Sequence, residues 1–185
     1  MFLITGAGRS GSTYITKVLQ QCGLDVGHHK MRLDGIVCSF YCFEADRYPT
    51  RQPAPRPHFD VILHQVRHPL RSIASIKTGR SWKWTCQFLP VDTTAPLLER
   101  CCYNWLVFNE EAERQAALTY RIEALEEAWP DIQRFLGFTY DYELAVAGIS
   151  KKTNTRDPTE VTWEQVRSVA PVSYTHLTLP TTPYV

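Results

Sequence analysis

The first two dozen residues change abruptly from an apolar run to a polar, glycine-rich run and then to a helical pattern. Phe2-Leu3-Ile4-Thr5 is apolar and β-prone. The eight residues that follow it combine glycines with hydroxyl side chains: Gly6-Ala7-Gly8-Arg9-Ser10-Gly11-Ser12-Thr13. From Tyr14 to Cys22 apolar residues recur at helical spacing. The pattern predicts a strand, a tight turn and a helix.

Farther along the chain, apolar runs alternate with amphipathic stretches. Strands are predicted just before His28, over residues 59–66 and over 119–122, and residues 35–43 fit either a helix or an extended segment. Helices are predicted over 69–77, 96–115, 124–136 and 162–169, the third interrupted near Pro130. Strands alternating with helices predict an α/β fold, with a P-loop-like parallel sheet flanked by helices on both faces.

A strand, a glycine-rich turn and a helix in this order favour an anion site. Backbone N–H groups and the positive end of the helix dipole converge where the turn enters the helix. Glycine allows a positive φ and a close approach of the ligand. We therefore expect a phosphate or a sulfate at residues 8–13, rather than a turn that binds nothing.

Two nucleotide motifs overlap in this turn. Gly6, Gly8 and Gly11 satisfy the dinucleotide pattern G-x-G-x-x-G, and Gly6 and Gly11 also have the spacing of the triphosphate loop G-x-x-x-x-G-K-[ST]. Ser12, however, takes the place of the lysine of that loop, and Arg9 is the nearby cation. The turn alone leaves the nucleotide undecided.

The composition of the chain limits the binding partners and the cellular compartment that we expect. The chain has 185 residues, 44% of them hydrophobic, and a net charge of +1, which predicts one domain and gives no electrostatic case for nucleic acid or a membrane surface. No apolar run approaches the roughly 18 residues of a membrane span, and the N-terminus lacks a signal-peptide pattern. The six cysteines have no zinc-like spacing. We expect free thiols and a cytoplasmic location.

The C-terminal residues 172–185 differ in character from the rest. Residues 172–181 resemble an in-frame translation of the adapter used in sequencing libraries. We therefore expect a single domain over residues 1–171, a non-native tail after it, and a truncated native C-terminal helix.

A second anion site is predicted at the end of the strand over residues 59–66. In a triphosphate hydrolase such a strand would end in an acidic residue that holds Mg²⁺, but this one is followed by Arg67. Ser75 lies one to two turns into the next helix and could share an anion with Arg67. With no lysine in the first loop and no metal carboxylate, the pattern favours a ligand that carries two separate anions.

These two stretches resemble the motifs of the sulfotransferase family, which uses 3′-phosphoadenosine-5′-phosphosulfate (PAPS). Arg9-Ser10-Gly11-Ser12-Thr13 is similar to the family's first motif, and Arg67 with Ser75 eight residues on is similar to its second. Residues 23–28, 120–123 and 153–156 also look like segments of small bacterial relatives. The resemblance covers residues 1 to 170 and implies transfer of a sulfuryl group to an acceptor hydroxyl or amine without a metal.

The resemblance also implies roles for individual residues. The donor nucleotide would be held by Gly8, Arg9, Ser10, Gly11, Ser12, Thr13, Arg67, Ser75 and Arg156. Within this set, the loop would cradle the 5′-phosphosulfate, and Arg9 would stabilise charge on the bridging oxygen. Arg67 and Ser75 would hold the 3′-phosphate, with Arg156 near that phosphate or the adenine.

A general base must deprotonate the acceptor. The resemblance implies that this base is a histidine or a carboxylate near the first helix. His28 is the first choice because it leaves the short second strand beside the loop, and His29 is the next. Asp34 and Glu44 stay open as alternatives. The acceptor cleft is expected to involve Phe40, Tyr41, Trp82 and Trp84.

Two other functions remain open at this stage. A nicotinamide-dinucleotide oxidoreductase would need an acidic residue at the end of a second strand, about 20 residues after the glycines, and Asp25 comes too early. A non-catalytic nucleotide-binding module is the other. His64 is interpreted as a packed core histidine and Arg71 as a solvated helix residue.

Overall fold

The structure is a computed structural model that describes residues 1–43, 56–78, 91–150 and 160–171. Its strands are β1 (Phe2–Thr5), β2 (Val26–His28), β3 (Gly35–Val37), β4 (Val61–Val66) and β5 (Leu118–Arg121). Its α-helices are α1 (Ser12–Gln21), α2 (Pro69–Lys77), α3 (Leu97–Gln115), α4 (Leu125–Leu136), α5 (Tyr142–Val146) and α6 (Trp163–Val169). The predictions for Glu44, Trp82, Trp84, Arg156 and the tail 172–185 lie outside the described residues.

The five strands form one parallel sheet in the order β2-β3-β1-β4-β5. β1 is central, paired with β3 on one side and β4 on the other. The chain passes from β1 to β2 and β3 on one side, and then crosses to β4 and β5 on the other. Ligands of open parallel sheets bind at the carboxyl ends of the strands where the connections change side, so the glycine-rich loop after β1 lies at this position.

Helices pack on both faces of the sheet, which confirms the predicted α/β architecture. Ile4 of β1 belongs to an apolar cluster with residues of α1, α4 and α5. Val66 of β4 belongs to another cluster, with residues of α2, α3 and α6. β1 is buried throughout and β4 over its last four residues, as expected for central strands covered on both faces.

One helix prediction was wrong. α4 continues from Leu125 to Leu136 through Pro130, without the predicted interruption. Pro130 is on the exposed side of the helix, while Trp129 and Ile132 are buried in the core. Because most helical stability in proteins comes from packing of an apolar face, the burial of these neighbours outweighs the loss of one backbone hydrogen bond at proline.

The remaining boundaries follow local signals. Residues 35–43 divide into β3 and a 3₁₀ turn at Phe40–Cys42. Thr162 caps α6 in a capping box with Gln165. The five cysteines within the described ranges carry free thiols. None of the helices in those ranges has the length and hydropathy needed to cross a membrane.

Candidate anion-binding cleft

A cleft of about 730 Å³ opens at the carboxyl edge of the sheet. The glycine-rich loop forms its floor, and the ends of β2, β3 and β4 and one side of α2 form its walls. It brings together the described residues predicted to bind the donor nucleotide and the two histidines predicted as bases: Gly8, Arg9, Ser10, Gly11, Ser12, Thr13, His28, His29, Arg67 and Ser75. These ten residues, up to 67 positions apart in the sequence, therefore share one cleft.

The glycine-rich loop ends at the N-terminus of α1, and both line the cleft. Gly11 has φ 95° and precedes α1, whose N-terminus has no side-chain cap. The first N–H groups of an α-helix have no partner within the helix, so the N–H groups of Ser12 and Thr13 are available to an anion. Together with the positive end of the helix dipole they form a binding site for a phosphate or sulfate.

Hydrogen bonds join the two predicted anion sites. The Arg9 guanidinium donates through Nε to Ser75 Oγ at 2.9 Å. Arg67 donates through an Nη atom to the carbonyl oxygen of Arg9 at 3.2 Å. Ser72 on α2 donates to the carbonyl oxygen of Gly8 at 3.4 Å. The loop after β1 and the segment after β4 therefore form one connected wall of the cleft.

The electrostatics of this wall favour an anion. Burial lowers the pKa of the Arg67 guanidinium, an effect opposed by the charge of Glu123 and reinforced by that of Arg71. Arginine nevertheless remains protonated in proteins. Two guanidinium groups, those of Arg9 and Arg67, thus carry positive charge into a partly desolvated cleft, where an entering anion interacts more strongly than in water. Arg71 is exposed at the rim, as expected of a solvated residue.

The two histidines lie on the opposite wall. His28 Nε2 is 3.0 Å from Ser12 Oγ, and His29 Nδ1 is 3.4 Å from Cys38 Sγ. Burial, reinforced by the neighbouring His29, lowers the pKa of His28 to about 4, and burial also lowers the pKa of His29. Both imidazoles are therefore neutral at pH 7, the form in which a histidine can accept a proton.

The other candidates for a base differ in position. Asp34 directly precedes β3, at the amino edge of the sheet, and its carboxylate accepts from the Asp25 N–H at 2.6 Å. Asp34 does not line the cleft. Because a side chain at the amino edge of the sheet cannot reach a ligand at the carboxyl edge, Asp34 is excluded as a candidate base. Glu44 lies outside the described residues.

The aromatic wall is only partly as predicted. Phe40 lines the cleft. Tyr41 packs instead against Phe59, with ring centroids 5.9 Å apart, and is not part of the lining. The 3₁₀ turn separates the directions of these two adjacent side chains, which a sequence pattern of consecutive aromatics does not reveal.

Sequence reasoning missed a buried network beneath the loop. Gln65 donates through Nε2 to the Ser10 carbonyl oxygen at 2.8 Å, and its Oε1 accepts from the Tyr120 hydroxyl at 2.8 Å. Asn109 accepts from the Ala7 N–H at 3.2 Å and lies 3.0 Å from Nε2 of His64. The signal in the sequence was the pair His64 and Gln65, two consecutive polar residues in an apolar strand. Only His64 was interpreted, as a packed core histidine, and its burial confirms that interpretation.

The sheet order bears on the dinucleotide interpretation of the glycine pattern. In the dinucleotide-binding fold the second strand flanks the first and ends in an acidic residue that contacts the ribose. Here β3 flanks β1, and β2 ends at His28. Within the described part of the chain, therefore, no carboxylate ends β2 or β3, where the oxidoreductase requires one.

Comparison with known proteins found similarity to solved structures. No protein-family model matches the chain, and no curated protein matches it. A crystal structure of mouse sulfotransferase SULT7A1 complexed with PAP is similar at 16% sequence identity, with a TM-score of 0.42. The match covers 91% of this chain, which spans 65% of the length of the mouse chain.

Proposed function

We propose that this chain is a sulfotransferase that moves a sulfuryl group from PAPS to a hydroxyl or amine of an acceptor. The observation that carries the proposal is that two anion-binding sites, each with an arginine, lie in the same cleft. The uncapped N-terminus of α1 with Arg9 provides the first, and Arg67 with Ser75 provides the second. A nucleotide with phosphates on both its 3′ and 5′ positions matches two such sites.

The loop would hold the 5′-phosphosulfate. Backbone N–H groups of Ser12 and Thr13, with the hydroxyls of Ser10, Ser12 and Thr13, donate hydrogen bonds to its oxygens. Arg9 would stabilise the charge that develops on the bridging oxygen as the sulfur–oxygen bond breaks. Such fixed donors and charges, aimed at the developing charge in a site partly closed to water, are the main source of electrostatic catalysis.

Arg67 and Ser75 would bind the 3′-phosphate. The Arg67 guanidinium already lies against the loop backbone, so little side-chain entropy is lost when a phosphate binds. Ser75 Oγ accepts from Arg9 in the structure and still has its own proton to donate to an oxygen of the phosphate.

His28 would act as the general base, with His29 as the alternative. The neutral His28 imidazole would take the acceptor's proton while the acceptor oxygen or nitrogen bonds to sulfur and adenosine 3′,5′-bisphosphate leaves. The positive charge that forms on His28 would be balanced by the negative charge of the sulfuryl group in transfer. We propose a metal-free reaction, since Arg67 follows β4 where a magnesium-dependent phosphotransferase places a carboxylate.

Binding of three nucleotides tests the proposal. The protein is titrated calorimetrically with adenosine 3′,5′-bisphosphate, ATP and NAD, each with and without Mg²⁺. We expect the bisphosphate to bind most tightly and its affinity to be independent of Mg²⁺. Tighter binding of ATP with Mg²⁺, or of NAD, would refute the sulfotransferase assignment.

A matched pair of arginine variants makes the titration specific. Arg67→Ala removes the proposed contact with the 3′-phosphate and should weaken bisphosphate binding about ten-fold or more, the effect of one charged hydrogen bond. Arg121→Ala removes an exposed arginine at the same edge of the sheet that does not line the cleft. Equal losses in the two variants would indicate general charge attraction rather than a 3′-phosphate site.

A further inference from the structure

Two buried asparagines on α3 differ sharply in their hydrogen bonding. Asn109 is 1% exposed; its Nδ2 donates to the Trp105 carbonyl oxygen at 2.8 Å, and its Oδ1 accepts from Ala7. Asn104 is 2% exposed, and within the described part of the chain its Nδ2 has no hydrogen-bond partner. Asn109 therefore serves the fold, whereas the amide nitrogen of Asn104 makes no hydrogen bond within the described ranges.

A buried amide without a partner is costly, and such groups in proteins call for a specific explanation. Asn104 is one of the residues that line the cleft. Phe108, one turn farther along α3, and Ile76 of α2 line it as well, and Phe40 lines it from the 3₁₀ turn. A polar amide thus stands among apolar side chains, which is typical of a site that binds an apolar molecule and orients it with a few polar groups.

We propose that Asn104 is a specificity-determining residue that donates a hydrogen bond to the acceptor molecule. The acceptor would have an apolar body and would carry an oxygen atom, separate from the group that receives the sulfuryl, that accepts from Nδ2 of Asn104. Nδ2 itself has almost no accessible surface, so the amide group would turn about its terminal torsion, which is broad in asparagine, to present Nδ2 to this oxygen. This inference rests on the proposed function, because it concerns the second substrate of that reaction.

The charge distribution of the cleft supports this choice of ligand over the nucleotide. The phosphates of the donor belong beside Arg9 and Arg67, where positive charge is available. Ile76, Phe108 and Phe40 cannot stabilise a phosphate, but they can cover an aromatic or aliphatic body. The wall that contains Asn104 is therefore suited to the less charged of the two substrates.

Matched phenols test the proposed hydrogen bond. The probes are 4-(methoxymethyl)phenol, 4-(2-methoxyethyl)phenol and 4-(3-methoxypropyl)phenol, each compared with the 4-alkylphenol of equal chain length. Each pair differs by an ether oxygen in place of a methylene, and binding is measured to protein saturated with adenosine 3′,5′-bisphosphate. We expect at least one ether to bind about two- to ten-fold more tightly than its alkyl partner, the effect of one buried hydrogen bond.

The same preference should disappear in Asn104→Leu, which keeps the branched shape and the number of heavy atoms and removes the donor. The absence of an ether preference in all three pairs, or a preference that survives Asn104→Leu, would overturn the inference. Binding of the bisphosphate in the same experiment separates the two proposals. Its failure would refute the sulfotransferase assignment, while normal bisphosphate binding without an ether preference would refute only the role of Asn104.

Thermal unfolding provides a test that requires no ligand. Asn104→Leu removes an unpaired buried amide, so we expect its Tm to equal or exceed that of the wild type. Asn109→Leu, the matched control on the same helix, leaves the Ala7 N–H without its partner and should lower Tm. A fall in Tm for Asn104→Leu as large as that for Asn109→Leu would mean that Asn104 supports the fold, and would overturn the inference.

Discussion

The groups beneath the glycine-rich loop and those that face the cleft above it differ in how completely they are hydrogen-bonded. Beneath the loop, Gln65 uses both ends of its amide, and Asn109 does the same. Above it, the N-terminus of α1 has no side-chain cap, and Asn104 Nδ2 has no partner in the described ranges. The lower layer fixes the loop, and the upper layer keeps hydrogen-bonding capacity for a ligand.

Two ionisable groups of the cleft, Arg67 and His28, are also incompletely stabilised by the protein alone. Burial lowers the pKa of both Arg67 and His28, because each would hold a positive charge more easily in water. Their environment therefore does not fully replace the stabilisation that water gives to a positive charge. An anionic ligand would supply it, and a site that is electrostatically incomplete on its own is one that gains from binding.

The largest expected effect is on catalysis by the upper layer. Arg9→Ala removes the charge proposed to stabilise the leaving oxygen, and we expect kcat for transfer from PAPS to fall about 100-fold or more. Arg9→Lys, which keeps a positive charge, should retain more of the rate. Initial rates with radiolabelled PAPS give both values. Unchanged turnover in Arg9→Ala would remove Arg9 from the mechanism.

The next effect concerns the backbone of the loop. A Cβ atom on Gly6, which has φ 149°, would lie 2.3 Å from the Gln65 carbonyl oxygen. Gly6→Ala should therefore lower the free energy of unfolding by about 3 kcal/mol. At Gly8 a Cβ would meet no atom within 4 Å, so Gly8→Ala should change it by less than about 0.5 kcal/mol. Urea unfolding of both variants checks the difference, and equal stabilities would mean that the loop is not held tightly against β4.

A smaller loss is expected from the network below. Tyr120→Phe removes the hydroxyl that donates to Gln65 Oε1 and leaves a buried acceptor unpaired, at a cost of about 1–2 kcal/mol. Tyr103→Phe, at an exposed position of α3, is the matched control and should change stability little. If the two substitutions have the same effect in urea unfolding, the network does not brace the loop.

The smallest effect is a pH dependence of stability. The pKa of His28 is about 4 in the fold against 6.5 when unfolded, so between these values the unfolded chain binds the additional proton. The contribution of His28 to the stability of the fold is therefore complete above pH 6.5 and is lost as pH falls toward 4. His29 is the titratable neighbour, and its lowered pKa acts in the same direction.

Comparison of unfolding at pH 5 and pH 7 measures this contribution. We expect His28→Asn to reduce the stability difference between the two pH values. The exposed His58 provides the control variant His58→Asn. A difference that stays the same in His28→Asn would show that His28 is not buried beside the loop.

Local features of the site were predictable from the sequence, and contacts between distant residues were not. The loop, the helix after it and the position of Arg67 after β4 follow from runs of adjacent residues. The bond from Tyr120 to Gln65 spans 55 residues and that from Ala7 to Asn109 spans 102, so neither leaves a local pattern. The predicted interruption of the helix near Pro130 was wrong because the burial of Trp129 and Ile132 outweighed the local helix-breaking propensity of proline. Asp34 stayed open as a base because the sequence did not place it at the amino edge of the sheet.

The central claim is that two anion sites hold one nucleotide, and the ratio of two affinities tests it most directly. Adenosine 3′,5′-bisphosphate and adenosine 5′-monophosphate differ only in the 3′-phosphate, and both are titrated into wild type and Arg67→Ala. We predict that the wild type binds the bisphosphate about ten-fold or more tightly than the monophosphate, and that the ratio approaches one in Arg67→Ala. Equal affinities in the wild type, or a ratio that Arg67→Ala leaves unchanged, would contradict the account.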